Sequence, residues 1–112
     1  MADKRLYWLG SAKKDLSAFP QEAKRKAGFQ LRAIQKGQNP TDFKSIQAVG
    51  KGVEEIRIWT GDAFRVFYVS RYEEGIYVLH AFQKKTQKTS KRDIELGQKR
   101  YREMVQFRQT GQ

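Results

Sequence analysis

The spacing of apolar positions along the chain switches between the period of a strand and that of a helix. Residues 4–9 (KRLYWL) are a short aromatic and aliphatic run that predicts a first strand. Ser11 is placed to cap a short helix over 11–18, and Pro20, with its fixed φ, suits the first turn of a second. In that helix Ala23, Ala27, Leu31 and Ile34 recur at spacings of four, four and three, which makes one apolar face. Lys24, Arg25, Lys26 and Arg32 fall largely off it, and Gly37 ends it. Residues 38–52 read as a loop with one turn of helix near 42–46. Residues 53–60 then alternate, Ile56 and Ile58 on one face and Glu55, Arg57 and Trp59 on the other. Gly61 and Asp62 suit a two-residue hairpin turn. Residues 63–71 (AFRVFYVSR) read as a central strand, residues 73–75 as a second tight turn, and residues 76–82 (IYVLHAF) as another buried strand. A last helix starts at Thr89 or Ser90, with Ser90 and Asp93 spaced as an Asp version of the capping box. Its apolar stripe is Ile94, Gly97, Tyr101, Met104 and Val105.

The order β-α-α-β-β-β-α predicts an α+β fold: a small antiparallel sheet, made of a three-stranded meander joined by the N-terminal strand, with helices packed on it. At 112 residues the chain is expected to be one domain, 1–112. No apolar run approaches the ~20 residues that span a bilayer, and the charged N-terminus lacks the apolar core of a signal peptide. A cytoplasmic protein with no membrane association is the expectation.

Charge changes the picture further. There are 23 Lys and Arg against 12 Asp and Glu, a formal net charge of +11. Residues 1–37 hold nine basic and three acidic side chains, residues 38–83 five and six, and residues 84–112 nine and three again. The excess of +6 at each end, against −1 in the middle, suggests two segments that meet as one positive surface for a polyanion. Zero Cys and a single His remove thiolate chemistry and His-rich metal centres. No Gly-rich phosphate loop, nucleophile elbow or HExxH is present, and the acidic pairs Glu54-Glu55 and Glu73-Glu74 have poor ligand geometry. Neither a metal nor a cofactor is expected.

What remains is cationic and aromatic. Arg57 and Arg65 lie inside two successive strands, and an Arg in an apolar strand needs either an internal Glu or an anion from outside. The run QKKTQKTSKR follows the last strand and places Lys84, Lys85, Lys88, Lys91 and Arg92 together with two threonine donors; it is either a solvated connection or a binding segment. His80 alternates with Val78 and Phe82, as a sheet-face histidine or a site residue. Trp59 either stacks on bases or packs in the core, while for Tyr68 packing is the expectation. These groups suit one reaction. RNA cleaves itself when a 2′-hydroxyl attacks the neighbouring phosphate, so the protein need only position the phosphate, offset its extra charge and assist two proton transfers. Arg makes bidentate phosphate contacts, and a Lys crowded by other cations exchanges protons more readily.

Residues 54–100 also carry a resemblance. Glu55-Ile56-Arg57, Phe64-Arg65-Val66-Phe67-Tyr68 and the long stretch from Leu79 to Arg100 resemble the HigB-like, phage-derived branch of the RelE/ParE toxin superfamily. The resemblance implies a microbial-ribonuclease-like fold and the toxin of a type II toxin–antitoxin pair. Such a toxin enters the ribosomal A site, cuts the mRNA there and is silenced by a cognate helix-turn-helix antitoxin. By position, Arg57 and Arg65 correspond to the sheet arginines that contact the scissile phosphate, and Lys84 and Lys85 to basic residues at the end of the last strand. The family's C-terminal catalytic Tyr or His has no clear counterpart, since Tyr101 falls in the helical core stripe and His80 in a strand. The expected catalytic set is therefore Arg57, Arg65, Lys84, Lys85 and His80. Lys13, Lys14, Lys24, Arg25, Lys26, Trp59, Lys88, Lys91 and Arg92 are expected to hold RNA. The alternatives are a ParE-like poison of DNA gyrase and an RNA- or ribosome-binding module without catalysis.

Overall fold

The computed structural model of the chain describes residues 3–110. In order the elements are β1 (Arg5–Trp8), α1 (Ala12–Ser17), α2 (Gln21–Gln35), β2 (Phe43–Ser45), β3 (Glu54–Trp59), β4 (Ala63–Tyr72), β5 (Gly75–Lys84) and α3 (Lys91–Thr110). One five-stranded sheet runs β1-β5-β4-β3-β2, so β4 is central. The α+β class agrees with the pattern of apolar positions. The sheet itself differs in two ways. It is mixed, because β1 lies parallel to β5 while the other pairs are antiparallel. It also has an extra edge strand, since residues 43–45 form β2 where a helical turn was expected. Phe43, Lys44 and Ser45 pair with Ile56, Glu55 and Glu54 of β3, and the ladder continues as the Arg57 N–H donates to the Asp42 carbonyl at 2.9 Å. Pairing to a neighbour decides such a short segment, whatever its local propensity.

The sheet has a core on each face. Ala23, Ala27, Leu31 and Ile34 of α2 and Ala12 and Leu16 of α1 pack on Ile56, Ile58, Phe64, Val66 and Tyr68. Each fully buried aliphatic side chain of this kind contributes about 1.5–3 kcal/mol. On the opposite face Met104 of α3 joins Phe67, Val69, Tyr77, Leu79 and Phe82. The stop after α2 follows from Gly37: at φ 83° it lets its own N–H reach the Ile34 carbonyl and the Gln38 N–H reach Ala33, which closes the helix end. Gly97 matters for closeness rather than conformation, because a Cβ there would lie 2.9 Å from the Phe67 ring. Among the described residues no helix is long and apolar enough to cross a membrane.

Alternation along β5 breaks once. Phe67 faces His80, but Tyr68 faces Val78, so Leu79 and His80 share a bulge. Val78 consequently packs with α1 and α2, whereas His80 stacks on Phe82 on the α3 side, with ring centroids 4.7 Å apart. The expected alternation of His80 with Val78 is thereby corrected.

Candidate functional site

Arg57 and Arg65 stand directly opposite one another across β3 and β4, on the sheet face that α3 covers further along. Like charges facing across a ladder oppose pairing. Each is offset by its own carboxylate. Asp42, just before β2, accepts Arg57 Nε and Nη2 on Oδ1 at 3.0 and 2.9 Å. Glu55, only 1% exposed, holds Oε2 3.7 Å from Arg65 Nε, beyond hydrogen-bond reach, and neither atom has a hydrogen-bond partner. Arg65 Nη1 donates to its neighbour's carbonyl, Phe64 O, at 3.0 Å. Arg57 is exposed and Arg65 half-buried, so the pair presents cationic edges to a cavity of about 250 Å³ lined by both arginines, Asp42, Ile58 and Trp59. Trp59 is 68% exposed, which settles its packing: it lies outside the core, unlike the buried Tyr68. Burial, and then Glu54, push the Tyr68 phenol well above its ordinary pKa, so it stays protonated.

The lysines at the end of β5 form a neighbouring feature. Lys84 faces Ala63 across the ladder, two residues from Arg65 on the same side of β4. Lys84 and Lys85 line a cavity of about 310 Å³ with Thr86, Ser90, Arg92 and Asp93. The arginines and the lysines thus open into separate hollows at one end of the sheet.

His80 is buried. Its Nε2 lies 2.8 Å from Asp93 Oδ1, and its Nδ1 has no partner. Burial lowers its pKa below the ordinary value despite the pull of Asp93, which keeps the ring neutral near pH 7. Asp93 also closes the cap of α3: its N–H donates to Ser90 Oγ at 3.1 Å, and Ser90 Oγ donates to Asp93 Oδ2 at 2.7 Å. One carboxylate therefore ties the sheet to the start of α3 and to the end of the lysine segment. His80 and Asp93 line a further hollow of about 570 Å³ beside β5, beyond the reach of β1, with Asp15, Arg92 and Arg100. Tyr101 is occupied, its hydroxyl donating to the Lys51 carbonyl at 2.9 Å.

Arg100 was expected only as the end of a stretch of residues, yet it is 8% exposed and structural. Nη1 donates to Leu9 O at 3.0 Å and Leu79 O at 3.2 Å, and Nη2 to Ser11 Oγ at 3.2 Å. Its place between Gly97 and Met104 on the apolar stripe was the available signal. The internal Glu expected as a partner for Arg65 is Glu55, whereas Asp42 was missed as the partner of Arg57.

The two basic segments approach one another where α1 and the start of α3 flank one hollow beside β5. Lys13 and Lys14 are exposed on α1, and Lys24, Arg25 and Lys26 on α2, which pack on one sheet face, while Lys91 and Arg92 begin α3 on the other. Lys88 is exposed in the preceding loop. Lys26 alone reaches the arginine site, its Nζ donating to Trp59 O at 2.9 Å. Among the described residues no three carboxylates or imidazoles converge as metal ligands.

The model of a family described as phage-derived protein Gp49-like (DUF891) matches residues 14–102, a span that runs from α1 into α3 and takes in both arginines, His80 and the lysine loop. No curated protein matches the chain.

Proposed function

Because the chain belongs to the Gp49-like phage-derived protein family, a RelE/toxin-like family, we propose that it is the toxin of a type II toxin–antitoxin pair. In this reading it is a ribosome-dependent mRNA endonuclease that arrests translation without a metal. Its partners are the ribosome, at the A site, the mRNA, and a helix-turn-helix antitoxin; the whole chain acts as one HigB-like domain in the cytoplasm. The observation that carries the reading is the cross-strand pair Arg57–Arg65. Two arginines opposed across a ladder, each held by a different carboxylate, leave cationic edges on one hollow where a phosphate can lie.

Arg65 binds the reacting phosphate and offsets the charge that grows as the 2′-hydroxyl attacks. Arg57 leaves Asp42 to share that charge, and in this reading Lys84 and Lys85, at the neighbouring end of β5, supply the proton to the departing 5′-oxygen. His80, dry and tied to Asp93, serves by holding the start of α3 and the lysine loop.

Arg65 cannot be tested alone, since truncating it leaves Glu55 buried without its counter-charge, at a cost of about 3–5 kcal/mol. The double change Arg65→Ala with Glu55→Gln avoids this, with Glu55→Gln as control. In single-turnover cutting of mRNA on saturating ribosomes the double variant is expected to lose about 2–4 kcal/mol of transition-state stabilisation. Ribosome sedimentation should be nearly unchanged. Parental cutting by the double variant would overturn the assignment. The burial of His80 and the engagement of Tyr101 favour a second reading, a gyrase poison or a binding module, which leave mRNA intact. A supercoiling assay and primer extension on a reporter transcript separate the two.

A further inference from the structure

The arginine cavity has a neighbour. A second hollow, of about 310 Å³, is lined by Lys26, Gln30 and Thr41 and by the same Asp42, Arg57, Ile58 and Trp59 that line the first. Trp59 and Arg57 are therefore a common wall, one aromatic and one cationic. An indole 68% exposed gives up the free energy of burial that a tryptophan ordinarily gains, and Trp59 is the most exposed of the large apolar side chains in the described residues. It is also held in place. Lys26 Nζ donates to its carbonyl at 2.9 Å, pinning the end of β3 to α2 and setting an ammonium at the indole's base. Gln30 closes the back of the hollow and is braced there by Thr41: Oε1 accepts from Thr41 N at 2.8 Å and Nε2 donates to Thr41 Oγ1 at 3.2 Å.

We infer that the Lys26–Trp59 hollow is a nucleotide subsite for single-stranded RNA, in which Trp59 stacks the base next to the scissile phosphate while Lys26 and Arg57 hold its backbone. The inference rests on the ribonuclease reading and adds a substrate contact to it. The chemistry of the hollow decides what it recognises. An exposed aromatic face beside two cations matches a base joined to phosphate, and every base offers such a face. Stacking on Trp59 is the contact that every base makes equally there, so base preference at this position is weak. Stacking here has a mechanical result as well. A base laid on Trp59 is taken off its neighbour, and two splayed nucleotides bring the 2′-hydroxyl towards line with the departing oxygen.

The test uses the full chain carrying Trp8→Phe, so that Trp59 is the remaining indole emitter. Hexauridylate and hexaadenylate should each quench it at low salt, with affinities within a few-fold of each other, and a hexamer of abasic ribose phosphate should not. In the parent background Trp59→Ala, followed by filter binding, should weaken hexamer binding about tenfold, the lower part of the range for one stacked base, and Trp59→Phe should restore most of it. Equal quenching by the abasic hexamer, binding by Trp59→Ala within twofold of the parent, or a parent that leaves hexamers unbound overturns the subsite. If the subsite falls while the Arg65→Ala/Glu55→Gln chain still loses mRNA cutting, the ribonuclease reading stands without it. If mRNA is never cut, that reading falls on its own evidence.

Discussion

The two nitrogens of His80 are in different surroundings, one on a carboxylate and the other enclosed without a partner, and a pH dependence follows from the difference. Its folded pKa lies below the ordinary 6.5 because burial disfavours the imidazolium more than Asp93 favours it. The unfolded chain therefore takes up the proton first, so the contribution of His80 to stability is complete above pH 6.5 and drains away as pH falls towards the lowered folded value. Thermal unfolding followed from pH 8 to pH 5 should show the midpoint falling, and His80→Gln should flatten that fall; an unchanged slope would place the titration elsewhere. At this scale the sequence was partly legible. Arg57 and Trp59 could be placed on one face, with Glu55, because β3 alternates through them, and Arg65 could be placed inside β4. His80 could not, because a bulge leaves no trace in the period of the residues around it. Nor could Asp42, whose carboxylate meets Arg57 only because residues 43–45 turn back along β3.

Elements show the same division between local and long-range causes. α2 and β3 announce themselves in sequence because each buries one stripe or one face, which imposes a period of 3.6 or 2, whereas β4 and β5, buried on both faces, show as near-continuous apolar runs between turns. β2 is three residues long and half of it faces solvent, so it has no period to read; it exists through its hydrogen bonds to β3. The parallel placement of β1 beside β5 is equally silent, since direction depends on how α1 and α2 return the chain. The seating of α3 at Gly97 is an exacting contact between elements. At Gly97 an added methyl would meet Phe67 at 2.9 Å and Val49 at 3.0 Å. Gly97→Ala gains a little helix propensity but must push α3 off the sheet, and a net loss of about 1–3 kcal/mol is expected, read from urea unfolding. A variant as stable as the parent would mean that α3 slides at little cost.

For the whole molecule the basic charge is spread over both faces of the sheet, while the arginine pair sits at one end of it. Exposed lysines on α1 and α2 suit contacts to phosphate that are independent of sequence and release counterions. Replacing Lys13, Lys14, Lys24 and Arg25 by Ala should weaken ribosome association and flatten its dependence on salt, with the cutting step on bound ribosomes unchanged. Sedimentation across a salt series checks the first, single-turnover cutting the second. The opposed arginines have a different consequence. Two arginines opposed across a ladder, with Arg65 Nε and the buried Glu55 Oε2 left without a hydrogen bond, are a local frustration in the native state. It is relieved when an anion bridges the pair, and whatever binds the folded chain and not the unfolded one stabilises it by mass action. On the proposed ribonuclease reading the free chain is then the less stable form of the molecule, and its resistance to unfolding, with the time it survives proteolysis, is set partly by how much RNA surrounds it.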